Sequence, residues 1–192
     1  MHSDLKDPKA TLRARVLAEL SRIPVEFQVT GSARACALLV QQPVWARARS
    51  VLLFAPIQGE PDIWPLLALA LAGGKVVALP AFLSETGHYM ARRVLDPNLD
   101  IQPGKFGIRE AQVHCAEVAL NQLDFVLVPG VAFDLRGCRL GRGRGFYDRM
   151  LAAVTGTTCG VAFDQQIVSD VPVEPHDKHL DCILTPTRWI ET

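Results

Sequence analysis

The chain has 192 residues, in which twenty Lys and Arg balance twenty Asp and Glu for a formal net charge of zero. Neutrality argues against a generally basic nucleic-acid scaffold and against an acidic disordered chain. With 49% hydrophobic and 21% charged residues, the composition fits one ordinary globular domain spanning 1–192. The longest apolar run, residues 63–72 with Pro65 inside it, is far short of the ~20 residues that cross a bilayer. The polar, acid-containing start is unlike a signal peptide. Five cysteines without a C-x-x-C pair read as buried free thiols in a reducing compartment. The expectation is a cytoplasmic monomer acting on a small molecule, with no nucleic-acid or membrane partner.

The elements follow in chain order. Asp7 as N-cap and Pro8 at the first helical position start a helix, and Pro24 stops it. Between them Leu12, Val16, Leu17, Leu20 and Ile23 recur at helical spacing, within an arc of roughly 140° at ~100° per residue. Lys9 and Arg13 fall inside that arc, whereas Arg15 and Arg22 lie on the far side. The two inner cations either snorkel at the edge of the stripe or reach an anion held between this helix and the rest of the fold. A second helical pattern covers 32–47, broken near Pro43. Residues 50–56 form a nearly continuous apolar run, as in a strand covered on both faces. A loop carrying Glu60 leads to a helix over 61–72, closed by Gly73 and Gly74, and a second buried strand covers 75–80. Strand, helix and strand in about thirty residues predict a βαβ unit and a parallel sheet.

Residues 83–122 are less regular, with an antiparallel strand expected near 89–94 and a helix near 111–118. Further buried strands are expected over 123–129, 158–163 and 182–185, with a loop and then a helix in 131–155. Together these predict an α/β fold: a three-layer α/β/α domain with a mainly parallel central sheet, Rossmann-like.

The most informative segment is 129–149. Residues 136–149 contain five arginines and one acid, a local cationic excess in a neutral protein. Gly141, Gly143 and Gly145 alternate with Arg142 and Arg144, so the backbone can approach a ligand and turn its N–H groups inward. The loop follows the carboxyl end of a predicted strand and opens a helix, where open α/β sheets bind ligands. Arginine supplies the planar fork that matches phosphate oxygens. A polyphosphate such as a nucleotide is the implied ligand. The pattern is neither the dinucleotide fingerprint nor a P-loop, and an RNA-binding Gly-Arg tract does not fit a single run with apolar flanks.

The stretch P-G-V-A-F-D, then G-x-R-L-G-x-G-x-G-F-Y-D-R, from Pro129 to Arg149 resembles the signature of the 5-formyltetrahydrofolate cyclo-ligase family, also called methenyltetrahydrofolate synthetase. The resemblance extends to the Lys9 and Arg13 pair, to Glu60 after the first strand, to Phe106, Ile108 and Glu110, and to Val171, Pro172, Val173 and Asp177. The family often has Pro where this chain has Ala111, and Tyr where it has Phe146. The resemblance implies ATP- and Mg²⁺-dependent closure of 5-formyltetrahydrofolate to 5,10-methenyltetrahydrofolate with release of ADP and phosphate. The formyl oxygen attacks the γ-phosphate, N10 closes the ring, and phosphate leaves; such chemistry needs alignment and charge neutralisation more than acid–base groups.

By position, the resemblance implies nucleotide contacts from Lys9, Arg13, Arg139, Leu140, Gly141, Arg142, Gly143, Arg144, Gly145, Phe146 and Tyr147. Arg142, Arg144 and Asp148 are the implied catalytic residues, and Asp148 and Asp177 the Mg²⁺ carboxylates. Ala55, Glu60 and Phe106 are implied folate contacts together with Arg142, Gly143, Arg144, Gly145 and Phe146, Glu60 accepting from the pterin N–H groups. Plainer roles stay open: Asp148 as a first-turn helix acid, Asp177 as a turn cap, Glu60 as a helix start, Phe106 and Phe146 as core. Residues 176–179, with two histidines and an acid, lack partner ligands at zinc spacing. Cys138, inside an arginine-rich loop, is expected either to have a lowered pKa or to be a plain structural thiol. Two other readings are carried: a non-catalytic nucleotide- or folate-binding paralogue that senses ligand, and a sugar-phosphate or acyl-CoA enzyme on a similar sheet.

Overall fold

The computed structural model describes residues 7–192 apart from Thr86, Pro175 and His176 and the side chain of Phe106. The Asp7 side chain accepts from the Lys9 N–H at 2.9 Å and starts α1 (Pro8–Leu20). Pro24 then precedes α2 (Val25–Val40), and α3 (Pro43–Arg47) follows the break at Pro43. α2 begins seven residues before the periodicity suggests. Its first turns expose Val25, Phe27 and Val29, so the apolar positions there do not lie on one buried face.

The first buried run gives β1 (Ser50–Leu52), shorter than expected, and the βαβ unit continues through α4 (Trp64–Ala72) to β2 (Val76–Leu83). β3 (His88–Val94) returns antiparallel along β2 over seven residue pairs. Then come α5 (Pro97–Asp100), β4 (Ile101–Pro103), β5 (Arg109–Ala111) and β6 (Glu117–Val118). The helix expected over 111–118 is therefore absent, and β5, a turn and β6 occupy it. Backbone groups that a helix would use internally are committed elsewhere. The Gln112 N–H donates to the Asp100 carbonyl at 2.7 Å, the Ala116 carbonyl accepts from the Arg93 N–H at 2.8 Å, and the Arg92 guanidinium binds the Val113 and Cys115 carbonyls.

β7 (Phe125–Pro129) leads into a hairpin of β8 (Ala132–Phe133) and β9 (Arg139–Leu140), then α6 (Phe146–Leu151) and β10 (Thr157–Val161). β11 (Cys182–Leu184) and an antiparallel edge strand, β12 (Trp189–Glu191), complete the sheet. Its order is β12-β11-β10-β7-β1-β2-β3-β6, with β11 through β2 parallel. β3 and β12 run antiparallel to the central strands and β6 pairs antiparallel with β3, so the sheet is parallel at its centre and mixed at its margins.

Two layers of side chains cover the sheet. On one face Leu39 of α2, Trp45 of α3 and Leu66 of α4 pack on Val51, Val77, Phe125 and Leu127. On the other, Met150 and Leu151 of α6 join Phe133 and Leu180 over Leu52, Val126 and Ile183. A third cluster seats Leu12, Val16 and Leu20 of α1 on Val131, Cys138 and Leu140 of the hairpin and on Phe163. Removing each such side chain from water gives ~2 kcal/mol, which docks α1 firmly beside the glycine-rich loop. Among the described residues, no helix is long and apolar enough to cross a membrane.

Candidate active site

β1 lies between β7 and β2, so chain order reverses at β1, and a crevice opens where the loops after neighbouring strands part. Ala55 after β1, Pro80 in β2, and Pro129 and Gly130 at the end of β7 line it, and the cleft has a volume of about 1000 Å³. That is the upper end for a ligand site and suits two substrates held together.

The glycine-arginine loop, 141–145, forms one wall. Gly143 and Gly145 have φ of 89° and 63°, conformations open to glycine at little cost. Arg13 on α1 donates from Nε to the Gly141 carbonyl at 3.0 Å. Lys9, one turn earlier, pairs with Asp177 Oδ2 at 2.7 Å and Glu174 Oε2 at 3.0 Å. Burial works against charge on Lys9, but hydrogen bonds and attraction from the two carboxylates outweigh it, so its pKa lies above the ordinary value. The helical arc of the N-terminal sequence thus delivers both cations to the cleft, with the apolar stripe anchoring them.

Arg139 is the buried member of the cationic set, with its side chain 4% exposed. Nη2 donates to Asp148 Oδ1 at 2.7 Å, Nη1 to the Pro129 carbonyl at 3.3 Å, and the guanidinium carbon lies 5.7 Å from the Tyr147 ring centre. Burial pushes the Tyr147 phenol far up, which keeps it neutral. Arg142 and Arg144 are exposed on the loop, Arg142 Nε lying 3.5 Å from Glu60 Oε1. α6 has only six residues, so the positive field of the site comes mainly from arginines and not from a long helix dipole.

Glu60 is buried, and Oε2 accepts from the Ile57 N–H at 3.2 Å. Burial raises its pKa, against the opposing effects of that N–H and of Arg142. Asp148 and Asp177 also face the cleft. Asp177 Oδ2 accepts from the Glu174 N–H at 2.8 Å as well as from Lys9, so it closes a turn and lines the site at once. Both are oxygen donors of the kind that a hard divalent cation takes.

Phe146 lines the cleft inside an aromatic group, 5.2 Å from Tyr89 and 5.6 Å from Phe82, both edge-on. A phenol is therefore present in this corner, contributed by β3. The side chain of Phe106 lies outside the described residues, as does His176.

Every other residue singled out for the site in the sequence lines this cleft. Three contributors were given no role there. Tyr89 lines the wall from β3, a strand the sequence does show, and Glu110 from β5, in a stretch that the resemblance names without assigning a role. Gln166 is fully buried behind it, donating to the Gly130 and Val131 carbonyls at 2.8 and 3.2 Å and accepting from the Phe163 N–H at 2.7 Å. A lone Gln gives no sequence signal for such a role. Cys138 is 2% exposed. Burial and neighbouring Asp134 push its thiol up, outweighing Arg136, which corrects the expectation of a lowered pKa and leaves the structural thiol.

Comparison with known proteins agrees with the geometry. Residues 5–186 match the model of the 5-formyltetrahydrofolate cyclo-ligase family. The 5-formyltetrahydrofolate cyclo-ligase of Mycolicibacterium smegmatis is 34% identical over 155 residues, covering 74% of this chain and 76% of its own. That of Escherichia coli K12 is 32% identical over 169 residues, covering 86% and 92%. The solution structure of 5,10-methenyltetrahydrofolate synthetase from Aquifex aeolicus superposes with a TM-score of 0.86 at 34% identity, covering 95% of this chain and 92% of that one. The Mycoplasma pneumoniae synthetase, at 22% identity and a TM-score of 0.76 over 94% and 99%, shares the fold. With the family model matched over nearly its whole length, this chain belongs to the 5-formyltetrahydrofolate cyclo-ligase family.

Proposed function

We propose that this cleft closes 5-formyltetrahydrofolate to 5,10-methenyltetrahydrofolate in an ATP-dependent reaction, releasing ADP and phosphate. The observation that carries the reading is the meeting, in one cleft, of the cationic glycine loop with buried Glu60 beside Arg142. Phosphate takes the first and a flat, donor-bearing ring the second. The family match over 5–186 also supports one domain, and five buried free thiols support a reducing, cytoplasmic setting.

Each residue has a physical task. Arg139, fixed by Asp148 and the Pro129 carbonyl, is preorganised and needs no rearrangement as phosphate charge spreads. Arg142 and Arg144 close on the phosphoryl group from the exposed side of the loop, with Glu60 restraining Arg142 until then. Arg13 fixes the loop by holding the Gly141 carbonyl. Lys9 holds Asp177 at the rim. The donor set of Asp148 and Asp177 fits Mg²⁺, which when bound supplies charge neutralisation at the phosphates. Phe146 and Tyr89 present apolar ring edges that exclude water from the activated formyl group.

The formyl oxygen forms a bond to phosphorus while the bond to the ADP oxygen breaks. N10 then attacks the formyl carbon and gives up its proton, and phosphate departs with the former formyl oxygen. Substrate labelled with ¹⁸O in the formyl group tests this: the label is expected in inorganic phosphate. Label retained in the folate or lost to water would overturn the route.

A further inference from the structure

Among the described residues, Asp100, His114 and Cys115 bring an oxygen, a nitrogen and a sulfur within 4.8 Å of one another. None of the three lines the cleft. They meet at the base of the β4–β5 hairpin, where Ile101 pairs with Ala111. Asp100 directly precedes β4, and the turn holding His114 and Cys115 follows β5. The Gln112 N–H donates to the Asp100 carbonyl at 2.7 Å and the Cys115 N–H to the Gln112 carbonyl at 3.1 Å, so the backbone already joins the two ends. Arg92 clamps the turn from outside, donating to the Val113 and Cys115 carbonyls at 2.8 and 2.7 Å.

The side chains are set for an ion. Asp100 Oδ2 accepts from the Leu95 and Asp96 N–H groups at 2.6 and 2.9 Å, which fixes the carboxylate and leaves Oδ1 3.0 Å from His114 Nε2. The Asp96 and Leu95 N–H groups hold that carboxyl down at about 2, so it is ionised at neutral pH. Two ligands bound at ~2.0 Å to a tetrahedral ion stand ~3.3 Å apart, close to the Oδ1–Nε2 separation. Cys115 Sγ is buried, and its contact with the Asp100 carbonyl at 3.7 Å is a weak one for a weak donor. The His114 side chain is 57% exposed and opens the group to solvent, giving the ion an entry path. Carboxylate, imidazole and thiolate together suit a borderline ion such as Zn²⁺, whereas Mg²⁺ takes oxygen donors. Two anionic ligands and one neutral one cancel a divalent charge. Burial and Asp100 push the Cys115 thiol up, but a coordinating ion displaces a thiol proton outright.

We propose that Asp100, His114 and Cys115 form a site for a zinc-like divalent ion that staples the base of the β4–β5 hairpin. Asp100 Oδ1, His114 Nε2 and Cys115 Sγ ligate the ion, and water takes the fourth position. The Cys115 proton leaves to solvent, and the neutral imidazole keeps its proton on Nδ1. β5 carries Arg109 and Glu110 to the cleft wall, so the staple steadies that wall without touching the substrates.

The test titrates metal-free, full-length protein with Zn²⁺ by calorimetry, in excess Mg²⁺ so that sites made of oxygen donors are filled. A parallel titration uses Co²⁺, which enters zinc sites and reports a thiolate ligand by a near-ultraviolet charge-transfer band. One equivalent of Zn²⁺ should bind, the cobalt band should appear, and Zn²⁺ should raise the melting temperature. His114→Gln, changed at an exposed side chain, should fold as wild type does, bind Zn²⁺ at least ~100-fold more weakly, and lose the rise in melting temperature. Cys115→Ser should lose the cobalt band. Zn²⁺ binding that Mg²⁺ abolishes, a band that survives Cys115→Ser, or an affinity unchanged in His114→Gln would overturn the site. Should Cys115→Ser not fold, the wild-type cobalt spectrum and His114→Gln decide. Every readout is taken without folate or nucleotide, so a failure of the cyclo-ligase reading leaves the result unaffected.

Discussion

Arg139 Nη2 and Asp148 Oδ1, 2.7 Å apart, join the end of β9 to the first turn of α6 and so fix both ends of the glycine loop between them. Asp148 therefore has a structural task in addition to any metal it holds. Removing one partner of a buried pair leaves the other charge uncompensated, at a cost of about 3 kcal/mol. Asp148→Asn should lose turnover and also melt on the order of 5–10 °C lower. The double variant Arg139→Met with Asp148→Asn should recover most of that stability without activity. Unchanged melting in Asp148→Asn would show that the pair does not hold the loop.

Arg144 offers the contrast, because it is exposed on the loop. Arg144→Ala should leave stability within about 0.5 kcal/mol of wild type while lowering kcat ~10³-fold, as loss of a transition-state arginine does. Arg144→Lys should recover only part of the rate, since an ammonium lacks the planar fork. Full activity in the alanine variant would remove Arg144 from the reaction.

Glu60 links pH to stability. Burial holds its pKa above the ordinary carboxylate range despite the Ile57 N–H and Arg142. A carboxyl raised in this way supports the fold fully when protonated, below the unfolded value of ~4.3, and loses that support as pH rises through the folded value. At neutral pH ionised Glu60 opposes folding. Glu60→Gln should accordingly melt above wild type near pH ~7.5 and converge with it below pH ~4, while losing activity because Arg142 loses its restraint. A variant that melts lower than wild type at neutral pH contradicts this.

Much of this was legible in the sequence, for physical reasons that differ by segment. The N-cap, the proline and the apolar spacing of α1 are local, and they placed Lys9 and Arg13 on one face before the fold was known. β1, β7 and the middle of β2 are buried on both faces and show as apolar runs, while α4 is apolar all round although Pro65, Ala68, Leu69 and Ala72 are exposed. Within residues 83–122 the antiparallel strand near 89–94 is present as β3, but the rest was illegible because its order comes from partners outside the local pattern. Asp100 accepts from His114 Nε2, fourteen residues on, and Arg92 collects the carbonyls of Val113 and Cys115, more than twenty residues on. No local pattern encodes such contacts. Asp134 shows a further limit: it is fully buried and accepts from the Arg136, Cys138 and Val171 N–H groups. A residue of the 129–149 stretch can thus be there to hold the fold, closing its own turn and tying the Val171 segment to it.

All five cysteines are buried and free, and burial pushes the thiols of Cys36, Cys115, Cys138 and Cys159 up, Cys36 to about 11. Thiolate is therefore scarce at neutral pH. Native protein should react slowly with a disulfide reagent at every cysteine and release five equivalents only after unfolding. Rapid labelling of Cys138 in the folded protein would restore the reading of an activated thiol.

The most direct measurement is the near-ultraviolet absorbance of the methenyl product on mixing the protein with 5-formyltetrahydrofolate, Mg²⁺ and ATP. An increase is expected that requires ATP, is matched by an equal amount of ADP, and is lost in Arg144→Ala. Bound nucleotide and folate with no increase would contradict catalysis by this cleft and leave a protein that binds its ligands without joining their chemistry.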